Sequence, residues 1–349
     1  MDNSRATKTV QKQDEGRSGE QSSKKKPPIL KLSSFTDPRE PWVLVPEGSF
    51  MNYFDWVPKE LRVGPWSKLA APTLLIISAG IVYLRPTEKD DFDSLVSSYP
   101  KPLSLFWWYN ALAFLGMGIV LYRCISNSAP AIMIAYTMLS WFLNMSRHAI
   151  NALAPFLSDH HFLLRLNRIT RFPALLTATI TFLVWNFALL PFVYVVAMNS
   201  KQKRIGFIAW NFNFNMVQLH CCNIFYAIMN TLITGPRNED IAAIFDKDDL
   251  WYALAYSLAY GLFYNLILDR IGIHLYPIFS PRSKLLIITW SLVFALHYAA
   301  YLCWNVALND YPQFISFEVV ACAYFSTMII GGVIHKIFSR KKKQLEKSA

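Results

Sequence analysis

The chain is short of charge. Asp, Glu, Lys and Arg make up 16% of its 349 residues, where a soluble protein carries about a quarter. Set against 54% hydrophobic and 15% aromatic residues, that shortage excludes an ordinary water-exposed surface over most of the length. Cysteine is scarce too. The five present (Cys124, Cys221, Cys222, Cys303 and Cys322) fall in or beside apolar segments, where a thiol behaves as a small apolar group. They predict no disulfide framework and no metal site, and the neighbours Cys221 and Cys222 would point about 100° apart on a helix. No apolar run follows the first basic residues, so no secretory signal peptide is expected and the first membrane helix serves as insertion signal. The sequence has no convincing repeat and no motif as specific as a nucleophile elbow. Of His220, His274 and His297, no two stand at i, i+4, so a metal site built from them with Asp269 is not expected, and no cofactor is implied.

What is present is a series of apolar runs near the 20 residues needed to span hydrocarbon. They cover Leu69 to Leu84, Leu103 to Ile125, Ala129 to Met145, Pro173 to Met198, Gly206 to Ile233, Leu250 to about Leu275, Leu285 to Leu308, and Phe317 to Phe338. The expected fold is all-α: a polytopic transmembrane bundle of about eight helices. Residues 1–40, rich in Lys, Ser, Gln and Pro, read as a disordered basic tail. Residues 41–68 read as a juxtamembrane segment, 69–338 as the membrane domain and 339–349 as a basic cytosolic tail.

The net charge of +11 resides in tails and short loops, which is an orientation signal and not a nucleic-acid face. With both termini cytosolic, the inner segments hold Lys201, Lys203, Arg204, Arg282, Lys284 and the 340–343 cluster, while acids such as Glu88, Asp90, Asp246 and Asp310 fall outside. The stretch after the third helix disagrees, with Arg147, Arg165, Arg168 and Arg171 on the outer side. It is expected to dip back or to include an interfacial helix. His148, His160 and His161 read as solvent-facing, and Asp269 as an ion-pair partner of its neighbour Arg270.

Polar residues inside spanning helices are costly and become functional candidates by default. Thr137 and Asn144 stand seven residues apart, as do Asn213 and His220, so each pair shares a helix face. One reading makes Thr137 a nucleophile and His220 its general base. The other has Thr137 bonding the carbonyl a turn back and His220 fastening two helices.

The stretch from Met216 to Trp304 resembles the androgen-induced and androgen-dependent membrane hydrolases, which cleave fatty acid esters of hydroxy fatty acids. The residues that carry the likeness are Met216-Val217-Gln218-Leu219-His220, the run Leu250 to Ile267, and His274-Leu275-Tyr276-Pro277-Ile278-Phe279 before a further apolar helix. Members of that family are six-helix proteins with an intramembrane Thr and His. The resemblance, spanning residues 130 to 308, implies Thr137 as nucleophile and His220 as base; Asn144 and Asn213, which share their helix faces by spacing, are the supporting polar candidates. It also implies an endomembrane hydrolase of long-chain acyl esters, with the endoplasmic reticulum as default location. The chain departs from the family by its basic tail, an extra early helix and a helix after Leu308. The alternative function is a lipid transporter or membrane scaffold without catalysis. Membrane lipids and a lipid ester are the expected partners, nucleic acid is not, and the oligomeric state is left open.

Overall fold

A computed structural model describes residues 70–85, 100–127, 133–156, 161–234, 245–269, 273–276 and 279–348. The expected tail and juxtamembrane segment lie outside these residues. Ten helices run through the described part: α1 (Ala70–Tyr83), α2 (Leu105–Asn127), α3 (Tyr136–Leu153), α4 (His161–Ile169), α5 (Arg171–Leu183), α6 (Lys201–Asn211), α7 (Phe214–Thr234), α8 (Lys247–Phe263), α9 (Leu286–Asn309) and α10 (Phe317–Ser348). No strand forms among the described residues. Five stretches are long and apolar enough to cross a bilayer: Leu105–Ser126, Phe162–Val195, Phe214–Thr234, Leu286–Asn309 and Phe317–Lys347. The protein is an all-α, membrane-embedded bundle.

Its surface is inverted relative to a soluble fold. Leu112, Leu115 and Ile119 on α2, Ile288 and Leu292 on α9, and Phe325, Ile329 and Ile330 on α10 are exposed, as lipid contact requires. The interior is where the polar groups collect, because a donor left facing hydrocarbon costs several kcal/mol. On α3, Ser140, Asn144, His148 and Asn151 are all buried. They recur every three or four residues, so they form one stripe. The matching stripe on α7 is Asn223, Asn230 and Thr234. Asn144 Nδ2 donates to Asn223 Oδ1 at 2.9 Å, and Asn223 Nδ2 donates to Ser140 Oγ at 2.9 Å. Arg147 Nε donates to Asn230 Oδ1 at 2.9 Å, and its Nη1 reaches the Asn167 carbonyl. Amide pairs of this kind fasten membrane helices where no hydrophobic force acts between them.

Several expectations are corrected here. α3 runs on to Leu153, so Arg147 and His148 belong to its buried face and not to a solvent-facing loop. His148 has no exposure and its Nδ1 donates to Asn110 Oδ1 at 2.8 Å. Arg168 and Arg171, bracketing the end of the short amphipathic helix α4, pair with Asp249 at 3.2 and 3.3 Å. Their charge is thus answered within the protein, which is why they disturb the loop charge count. Gly206 to Ile233 is not one helix: the chain breaks after Asn211, and the Asn213 side chain restarts it by accepting from Met216 N at 3.0 Å. Asp269 pairs with Arg282 Nε at 2.9 Å, and Arg270 lies outside the described residues. His160 does too. α10 continues without a break past residue 338 to Ser348.

Candidate functional site

A cavity of about 90 Å³ lies among α3, α5, α8 and α9. Its walls are aliphatic and aromatic, and none of the lining residues is Asp, Glu, Lys or Arg. The polar groups that reach it are few: Tyr136, Thr137, Thr181, Ser257 and His297, with the hydroxyls and indoles of the aromatic residues.

Three local features bring these groups together. Helix α5 widens into π-helical segments at Val184–Leu189 and Val193–Ala197, and α8 into another at Tyr264–Leu268. Each extra residue per turn re-aims the side chains, a distortion frequent at functional sites. Trp185, Leu189 and Tyr264 enter the cavity from these segments. The loop before α9 adds Tyr276 and Phe279. It is tied down where Tyr276 N donates to Tyr264 Oη at 3.1 Å. Buried Asp269 holds it further, accepting from Ser280 Oγ at 2.6 Å and Arg282 Nε at 2.9 Å. His274 Nδ1 stands 3.3 Å from the same carboxylate.

The third feature is the absence of a side chain at Gly261, which lets Trp290 pack against the α8 backbone. A Cβ there would fall 1.8 Å from Trp290 Cη2. Gly261→Ala is therefore expected to push the indole into the cavity and to destabilise the fold by about 1–3 kcal/mol, the usual cost of overpacking. Thermal unfolding in detergent, with wild type alongside, checks this; an unchanged midpoint would mean that Trp290 yields freely.

At the cavity wall Ser257 and His297 form one polar unit. Ser257 Oγ is 2.5 Å from His297 Nε2, and His297 Nδ1 is 2.7 Å from the Val293 carbonyl. A carbonyl only accepts, so Nδ1 carries the proton and Nε2 turns its lone pair toward the serine hydroxyl. Both residues are buried. This is the relation of a nucleophile to its general base, with the base oriented by a third group.

The sequence-expected residues separate. Thr137 lines the cavity, and its hydroxyl makes no hydrogen bond among the described residues. His220, in the π-helical segment Gln218–Cys222 of α7, is not among the lining residues. Its ring lies flat on Trp185, with centroids 4.0 Å apart and planes at 11°, and its Nδ1 is buried without a hydrogen-bond partner. Among the described residues no hydrogen bond joins Thr137 to His220. Asn144 serves the α3–α7 seam, and Asn213 is a helix cap. Ser257 went unnoticed in the sequence because one serine in a long apolar helix is commonplace. His297 carried the only available signal, an ionisable group in mid-membrane. Searches against protein-family models, characterised proteins and solved structures found no match to this chain.

Proposed function

We propose that this protein is an intramembrane hydrolase of long-chain acyl esters, with the cavity as its active site. The observation that carries the reading is the 2.5 Å contact between Ser257 Oγ and His297 Nε2 in the wall of a cavity with no charged lining residue. Such a cavity suits a neutral lipid that is already dissolved in hydrocarbon and enters from the side. His297 Nε2 takes the Ser257 proton as Oγ bonds the ester carbon. The imidazolium returns that proton to the departing alkoxide as the ester C–O bond breaks. Water, activated by the same histidine, then releases the fatty acid and restores the serine.

Thr137 with His220 is the second assignment, supported by the family resemblance and by the place of Thr137 on the same cavity. It requires Trp185 to leave the His220 ring. Purified protein incubated with long-chain acyl esters should release fatty acid, and Ser257→Ala should abolish that release. Release unchanged in Ser257→Ala but lost in Thr137→Ala would transfer the chemistry to the second pair. No release by wild type from any long-chain ester would leave the transporter or scaffold reading.

The endoplasmic reticulum, with both termini cytosolic, is the proposed setting. The support is the bias of Lys and Arg toward the tails and the 201–204 and 282–284 segments. Glycosylation acceptor tags at either end are expected to stay unmodified in microsomes; modification of one end alone would require an odd number of crossings.

A further inference from the structure

The cavity holds a second feature that the serine and histidine do not use. Three hydrogen-bond donors in its wall are buried with no partner: Tyr136 Oη, Thr181 Oγ1 and Trp290 Nε1. Thr181 and Trp290 are each 4% exposed. Tyr136 adjoins Ser257. They come from three helices, α3, α5 and α9, so no local backbone pattern accounts for their convergence. A buried donor left unpaired keeps its full desolvation penalty, and native interiors hold few of them. Three around one apolar cavity mark a place for an acceptor supplied from outside the chain.

The chemistry of the donors selects that acceptor. An indole N–H only donates, and the two hydroxyls have rotatable protons to offer. No charged side chain lines the cavity, so a phosphate or a free carboxylate would enter without a counter-charge, at a cost that donors alone do not offset. A carbonyl oxygen is neutral and presents two lone pairs, and the aromatic remainder of the wall, including Tyr260, Phe279 and Trp185, suits an alkyl chain.

We infer that Tyr136, Thr181 and Trp290 hold the carbonyl oxygen of a neutral acyl lipid beside Ser257. The binding role stands on the orphaned donors. The further role, steadying the oxyanion when Ser257 attacks, rests on the hydrolase reading above. Donors already in place where charge develops are worth roughly a hundredfold or more each in rate.

The test uses full-length Ser257→Ala protein, which keeps the donors and lacks the proposed nucleophile. Its probes are methyl oleate, isotope-labelled at the carbonyl, and oleyl methyl ether, which has no carbonyl. The ester should bind roughly tenfold tighter than the ether, the worth of one ordinary net hydrogen bond, and its carbonyl stretch should move to lower wavenumber than in detergent alone. Adding Tyr136→Phe, Thr181→Val or Trp290→Phe should shrink both the preference and the shift. The ester-to-ether ratio within each variant controls for folding, since a damaged bundle loses both ligands together. Equal binding of ester and ether, or a carbonyl stretch that ignores all three substitutions, would overturn the inference. If wild type hydrolyses nothing while the carbonyl shift and its dependence on the donors persist, the hydrolase reading fails and the carbonyl site stands. Hydrolysis that proceeds at full rate in Tyr136→Phe and Thr181→Val would fail the oxyanion role alone.

Discussion

Ser257→Ala and His297→Ala should each lower kcat on a long-chain acyl ester by on the order of a thousandfold or more, and the double variant should lose little beyond the worse single. Groups that act as one unit are grossly non-additive, because a base without its nucleophile has nothing to activate. The physical ground is the arrangement at Nε2: the Val293 carbonyl fixes the tautomer, so the serine proton has a lone pair to move to. A merely structural contact predicts something else. Loss of one interhelical hydrogen bond in a membrane costs about 0.6 kcal/mol on average, so both variants would show a slightly lower unfolding midpoint and unaltered turnover. Steady-state release of fatty acid from all three variants and wild type, with folding checked in the same detergent, separates the two. Additive losses in Ser257→Ala and His297→Ala would refute the dyad. Non-additivity between Thr137→Ala and His220→Ala instead would favour the second pair.

The largest loss of stability is expected from Asp249→Ala. Asp249 is 2% exposed and accepts from Arg171 Nη2 at 3.3 Å and from Arg168 Nη1 at 3.2 Å. It also accepts from Asp246 N at 3.2 Å, closing the capping box that starts α8. Arg171 is itself 4% exposed, with its guanidinium over the Phe245 ring. Removing one partner of a buried ion pair costs about 3–5 kcal/mol, since the remaining charge keeps its desolvation penalty. Arg168 adds little to this figure, because its half-exposed side chain makes a screened contact. The double variant Arg171→Met with Asp249→Leu removes both charges and should recover most of the loss. It will fall short by the missing cap, about 1 kcal/mol. Thermal unfolding of the single and double variants gives the comparison, and a double variant no more stable than Asp249→Ala would show that the pair is not the source of the effect.

How much of this was legible beforehand differs from element to element. The seven-residue spacings singled out α3 and α7 as helices with polar groups, but the members of each pair do different work: Thr137 lines the cavity while Asn144 bonds Asn223, and Asn213 caps the helix on which His220 stacks against Trp185. The stripes that fasten the two helices are Ser140, Asn144, His148 and Asn151 on α3 and Asn223, Asn230 and Thr234 on α7, and the break after Asn211 moves Asn213 out of the α7 face to its cap. Arg147 and His148 looked like loop residues because a run containing Asn, Arg and His fails an apolarity criterion. Helix α3 carries its polar side inward against α7, so that side never had to face lipid. The cavity donors Tyr136, Thr181 and Trp290 and the nucleophile candidate Ser257 had no signature, each being a single common residue in a different helix.

The amino-acid sequence by itself determined that the chain is a bundle of membrane helices. Backbone groups in hydrocarbon must pair within their own segment, so length and apolarity of a run decide the matter without reference to any other part of the chain. Tertiary structure alone decided which polar side chains meet. Ser257 and His297 are forty residues apart, and their 2.5 Å contact depends on the packing of α8 against α9 and on the close approach of Trp290 at Gly261. A half-turn of rotation in either helix would separate the pair while leaving every hydropathy value unchanged.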